Sequence, residues 1–253
     1  MKDYLEHPSV AAIYLGGSAA EGRSDKNSDT DIYVLTTGPV ELEWRKDFVA
    51  RRNPSRASLA PGYFGDGDAW ADSTGTYDVM FWNLNDTLNN LRRVVVDHQA
   101  SNGYTTAFWH TIRTWHEVGR KDDHSGLVDE LARLAAMPYP GELADAIVNR
   151  NRVLLRGTMF SLEVQLVLAS NRNDTVSINH RTAAIVASWF DIVFAVNRQT
   201  HPGEKRLLDR MTDLESLPDH ARTELESFLE AGPNEAPATC HTLIDSLENW
   251  LDA

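Results

Sequence analysis

A single cysteine, Cys240, is all that 253 residues supply, so neither an intrachain disulfide nor a cysteine-based metal cluster can form. Histidines do not fill the gap, because His98, His110, His116, His124 and His180 follow no zinc-ligand spacing. No apolar run is long enough to cross a bilayer. The opening MKDYLEHPSV lacks the basic and apolar parts of a secretion signal, so a cytoplasmic location is the expectation. Positive charge is scarce as well: 24 Lys plus Arg stand against 37 Asp plus Glu, a formal net charge of -13. Such a balance repels a nucleic-acid backbone unless a local basic patch offsets it, and suits a small or cationic partner better. No internal repeat is evident.

What the chain does have is ordinary material for a folded interior, with 42% hydrophobic and 24% charged residues. Against that background one stretch stands out, Tyr14 to Leu35, YLGGSAAEGRSDKNSDTDIYVL. It follows the apolar run from Val10, breaks at Gly16 and Gly17, offers the Ser18 hydroxyl, and presents Asp29 and Asp31 just before Ile32 to Leu35. Alternate residues of a strand project from one face, so Asp29 and Asp31 aim at one point. Like charges so close raise at least one pKa unless a cation neutralises them, and carboxylate oxygens suit magnesium. Glycines let backbone amides approach an anion. The Ser18 hydroxyl is a candidate phosphate donor, Arg23 either reaches phosphate or is an exposed arginine at a helix end, and Ser28 either serves the phosphate or caps the turn before the strand. A lone Gly-Gly is an ordinary turn and a lone Asp-x-Asp an ordinary strand end; the two in order are what give the stretch its meaning.

The first half of the chain alternates short strands with helices and loops. Strands are expected over 10–15, 29–36 and 77–82, with an extended segment at 114–118; helices are expected over 86–99, 104–112 and 127–137. Residues 39–50 read as an extended segment turning into a helix, and 61–76 as loops with one short strand. Within YDVMFW, Asp78 shares a face with Met80 and Trp82, either as a third acid beside the Asp pair or as an edge-strand residue reaching water. After Pro138–Gly141 the composition turns helical, with long patterns over 142–169 and 179–196 and shorter ones over 204–211, 219–230 and 239–250. An α/β unit over 1–137 joined to an all-α bundle over 138–253 is the expected division.

The pattern Gly17-Ser18-x-x-x-Gly22 followed by Ser28-Asp29-x-Asp31 resembles the signature of the nucleotidyltransferase superfamily that includes polymerase beta and the antibiotic adenylyltransferases. The resemblance implies an α/β nucleotidyltransferase domain with a mixed sheet, two magnesium ions during turnover, and ATP or another nucleoside triphosphate as co-substrate. Asp29 and Asp31 match the first two metal-binding acids and Asp78 the third, as metal ligand or general base. The second half is similar to bacterial nucleotidyltransferase-like proteins with a helical domain of unknown function 4037, through Asp191-Ile-Val-Phe-Ala-Val-Asn197-Arg198 and Pro202-Gly203-Glu204-Lys205. On that likeness Arg198 and Lys205 reach the triphosphate, or else lie in a solvated connector. Asp191, costly in an apolar helix unless partnered, orients an acceptor or pairs with Arg198. Glu163 contacts a cationic acceptor or faces water. The implied reaction moves AMP to a hydroxyl of a small, aminoglycoside-like molecule. Alternatives are a protein-adenylylating enzyme of the antitoxin kind and a noncatalytic nucleotide-binding regulator.

Overall fold

The computed structural model describes residues 1–17, 22, 29–60, 62, 65–122 and 124–253. Packing divides the chain into two compact units, 1–93 with 111–137 and 94–110 with 138–253. The second unit thus begins its helical part after Met137 and also takes 94–110, a segment whose sequence reads no differently from its neighbours.

The first unit is built on a sheet of β1 (Val10–Leu15), β2 (Thr30–Thr36), β3 (Arg56–Leu59), β4 (Gly67–Ala71), β5 (Thr76–Asn83) and β6 (His116–Arg120), in the order β3-β4-β5-β2-β1-β6. β2 and β5 run parallel and every other neighbouring pair antiparallel, which makes the sheet mixed. Alternation sorts the side chains. Ile13, Ile32, Val34, Val79 and Phe81 are buried on one face with Tyr4, Phe48 and Trp70. Tyr14, Tyr33, Asp31 and Asp78 fall on the other, as the pairings Tyr14↔Tyr33 and Asp31↔Asp78 require. β5 lies between β4 and β2, so Asp78 is on an interior strand and not on an edge.

Among the described residues, the α-helices of the first 137 positions are α1 (Leu42–Ala50), α2 (Leu84–Val95), α3 (Ala107–Arg113) and α4 (Leu127–Ala135), of which α2 ends and α3 begins within the 94–110 segment of the second unit. α1 carries a buried cation: Arg45 donates from Nε and Nη2 to the two oxygens of Asp68, at 2.8 and 2.6 Å, with its guanidinium 4.4 Å over the Phe81 ring. That forked pair pins α1 to β4. β3 is a strand that sequence patterning passes over, because the exposed RASL has no alternation and is held by pairing with β4.

The second unit contains α5 (Gly141–Leu155), α6 (Leu162–Asn171), α7 (Thr175–Val196), α8 (Leu207–Arg210), α9 (Ala221–Glu230) and α10 (Ala236–Leu251) around a core that includes Ile185, Trp189, Phe190, Val193, Leu225, Phe228, Leu243 and Leu247. The single long pattern over 142–169 is two helices. Ser161 caps the second by accepting from the Val164 N–H at 3.4 Å, and a Cβ at Gly157 would come within 2.8 Å of Val153 Cα. Apolar spacing persists on both sides of that turn, which hides it from periodicity. No helix among the described residues is long and apolar enough to cross a membrane.

Candidate functional site

Parallel register brings the acids together. Asp31 pairs directly with Asp78 across β2 and β5, at the inter-strand spacing of about 4.8 Å. Asp29 lies two residues upstream of Asp31, at the mouth of β2. Each of the three offers one oxygen, and these oxygens lie within 4.8 Å of one another, with Asp29 exposed and Asp31 and Asp78 half-buried. Burial, and then the charge of Asp29, raise the Asp78 carboxyl above the ordinary carboxylate value, while the Val79 N–H works in the other direction. An oxygen-only set of this kind is what a hard divalent cation takes, and the repulsion at Asp78 is what a cation would relieve.

The glycine turn fits against this set. Gly17 has φ +63, and a Cβ there would sit 1.7 Å from Asp31 Oδ2, so only glycine lets the backbone pass beside that carboxylate. The Gly16 N–H donates to the Asp31 carbonyl at 3.0 Å, and a Cβ at Gly16 would meet Tyr33 Cε2 at 2.4 Å. Behind the acids, on the same face, lies an aromatic cluster: Trp115 stacks on Tyr14 at 5.1 Å between centroids, lies 4.7 Å from Tyr33 and 5.4 Å from Trp82. Trp115 Nε1 is buried with no hydrogen-bond partner among the described residues. The neighbouring Cδ1 would be 3.1 Å from a Cβ on Gly16, so this donor lies beside the glycine turn. An unpartnered buried donor costs about 1–3 kcal/mol. Periodicity gives Tyr14 and Tyr33 their face, but no sequence signal marks Trp115.

Ser18, Arg23 and Ser28 lie outside the described residues. In the second unit Arg198 and Lys205 are exposed, and Arg198 takes φ +51 just past the end of α7. Asp191 is buried, and its hydrogen bonds are not to Arg198: Thr105 donates to it from its backbone N–H at 3.0 Å and its hydroxyl at 2.7 Å, and Asn151 Nδ2 at 3.2 Å. Its carboxylate therefore organises the 101–106 loop of its own unit. Burial outweighs those bonds and pushes its pKa up to about 6. Glu163 is likewise engaged, accepting from Arg156 Nε at 2.6 Å and Nη2 at 2.7 Å, with His241 Nδ1 2.9 Å away.

Residues 1–60, which contain the glycine turn and two of the three acids, match the family model of the nucleotidyltransferase domain. Among solved structures, the chain is similar to a nucleotidyltransferase-like protein from Exiguobacterium sibiricum, with 13% identity over 99% of this chain and 71% of that one and a TM-score of 0.47. No curated protein matches the chain.

Proposed function

We propose that the protein is a magnesium-dependent nucleotidyltransferase that moves AMP from ATP to a hydroxyl of a small acceptor. The observation that carries this reading is the convergence of Asp29, Asp31 and Asp78 within 4.8 Å beside a turn that only Gly17 can make. The match of residues 1–60 to the nucleotidyltransferase domain supports the same class and a nucleoside triphosphate as donor. Asp29, Asp31 and Asp78 would hold the divalent ions, whose chemistry is to neutralise the phosphates and acidify the attacking hydroxyl. Asp78, the carboxyl whose proton affinity is raised, is suited to accept the proton of that hydroxyl. The backbone of the left-handed Gly17 turn is suited to phosphate oxygens. A net charge of -13 favours a cationic, polyamine-like acceptor, of which an aminoglycoside is one kind.

A protein acceptor is the second reading, and one observation favours it. Met159 and Phe160 are 78% and 72% exposed ahead of α6, whose Val164, Val167 and Leu168 also meet solvent, an apolar stretch of the kind partners cover.

The test is transfer of label from α-labelled ATP, with and without magnesium, to polyamine-like small molecules and to protein in an extract. Asp31→Asn is expected to lower magnesium-dependent transfer by at least 100-fold without changing the melting temperature by more than a few degrees. Transfer undiminished in Asp31→Asn would end the proposal, and the labelled product's size separates the two acceptor classes.

A further inference from the structure

The first unit holds a cavity of about 180 Å³ on the sheet face that carries the acids. Tyr14 and Trp115 line it together with Leu131, Ala132 and Ala135 of α4, and the exposed Arg113 stands at its edge. Its volume is below the ~300–1,000 Å³ of pockets that enclose a whole drug-sized ligand, so it has room for one ring system of a larger molecule. The lining is aromatic and aliphatic, the chemistry that takes a flat π-face rather than a sugar or a phosphate.

Its place relative to the acids follows from the sheet. Tyr14 pairs with Tyr33, two residues beyond Asp31 on the same face. β1 ends at Leu15, so Gly17 is three residues from Tyr14, roughly 10 Å of extended chain. Trp115 joins the two places. Its Cδ1 edge lies beside Gly16, while its ring stacks on Tyr14 within the cavity lining. Packing against Tyr14, Tyr33 and Trp82 holds the indole in position.

We infer that this cavity is the subsite for the planar base of the donor nucleotide, stacked against Trp115, with the phosphates extending along the indole edge to the glycine turn and the three acids. The inference rests on the nucleotidyl-transfer reading for the phosphate half only. Stacking is tolerant of base identity because every base has a π-face, so purines should bind better than pyrimidines by surface alone.

The experiment separates the two halves with two probes. Protein carrying 13C-methyl alanine is titrated with adenosine, which has no phosphate, and with magnesium tripolyphosphate, which has no base. Adenosine at millimolar concentration should shift the methyl signals of Ala132 and Ala135 in both the unaltered protein and Asp31→Asn. Ala132→Phe, which fills the cavity, should weaken adenosine and ATP binding by at least tenfold and leave tripolyphosphate binding within twofold; Trp115→Leu should also weaken adenosine binding by at least tenfold. Adenosine that leaves the Ala132 and Ala135 methyls unmoved, or moves only signals elsewhere, overturns the inference, and this arm needs no variant to fold. Tripolyphosphate that fails to bind the unaltered protein counts against the transferase reading instead, and the adenosine arm still decides the base subsite.

Discussion

Single side chains at the acid cluster make the most direct predictions. The Asp78 carboxyl is raised first by burial and second by Asp29, so Asp29→Asn removes a negative neighbour and should lower the Asp78 pKa, as read from its 13C carboxyl shift against pH. The sign carries over to cation binding. A raised Asp78 pKa means that magnesium affinity begins to fall at a higher pH than an isolated carboxylate would allow, and in Asp29→Asn that fall should start lower. Gly17→Ala tests the turn: a methyl 1.7 Å from Asp31 Oδ2 cannot be accommodated, and a left-handed alanine costs about 1–2 kcal/mol besides. Nucleotide binding by calorimetry should fall at least tenfold in that variant, whereas Gly22→Ala, where a Cβ meets nothing within 4 Å among the described residues, should be far milder despite its own positive φ.

At the scale of elements, strand alternation and register account for what could be read in advance. Asp29, Asp31 and the apolar β2 announce themselves in sequence, and Asp78 is recognisable as the charge that breaks the YDVMFW pattern; its direct pairing with Asp31 is a property of parallel register that no local pattern encodes. β3 escaped because pairing, not propensity, makes it a strand. The 156–161 turn escaped because its cap and its glycine sit inside an unbroken apolar rhythm. Asp191 could be seen as anomalous in α7, but its partner Thr105 is 86 residues away, beyond any helical spacing. That carboxyl gives a test of the element it organises. Its folded pKa of about 6 lies above the unfolded value of about 3.9, so the folded state binds the proton more tightly. The Asp191 contribution should therefore lower stability as pH rises from about 4 to 6, by about 3 kcal/mol in all, and stay level above that. In Asp191→Asn, denaturant unfolding should lose this slope; Asp191→Ala, which strands the Thr105 N–H and Asn151, should be destabilised at every pH.

For the whole molecule, the governing fact is that neither unit is one continuous piece of chain. The boundaries at 93/94, 110/111 and 137/138 mean that the polypeptide passes between units three times. A fragment of residues 1–137 therefore carries 94–110 without its partners, among them Tyr139, whose ring lies 5.5 Å from that of Trp109, and Asp191. Such a fragment should bind a hydrophobic dye and aggregate on size-exclusion chromatography, and the full chain should do neither.

The same connectivity sets a schedule for synthesis. Thr105 leaves the ribosome 86 residues before Asp191, which at about 5–20 residues per second is a delay of roughly 4–17 s. Throughout that interval the 94–110 segment has been made and its anchor has not. The first unit, complete by residue 137, must close around a loop whose own home does not yet exist. Slow translation between 138 and 191 should thus lower the yield of folded protein more than slow translation beyond α7, a cost imposed by the order in which the pieces arrive rather than by their final stability.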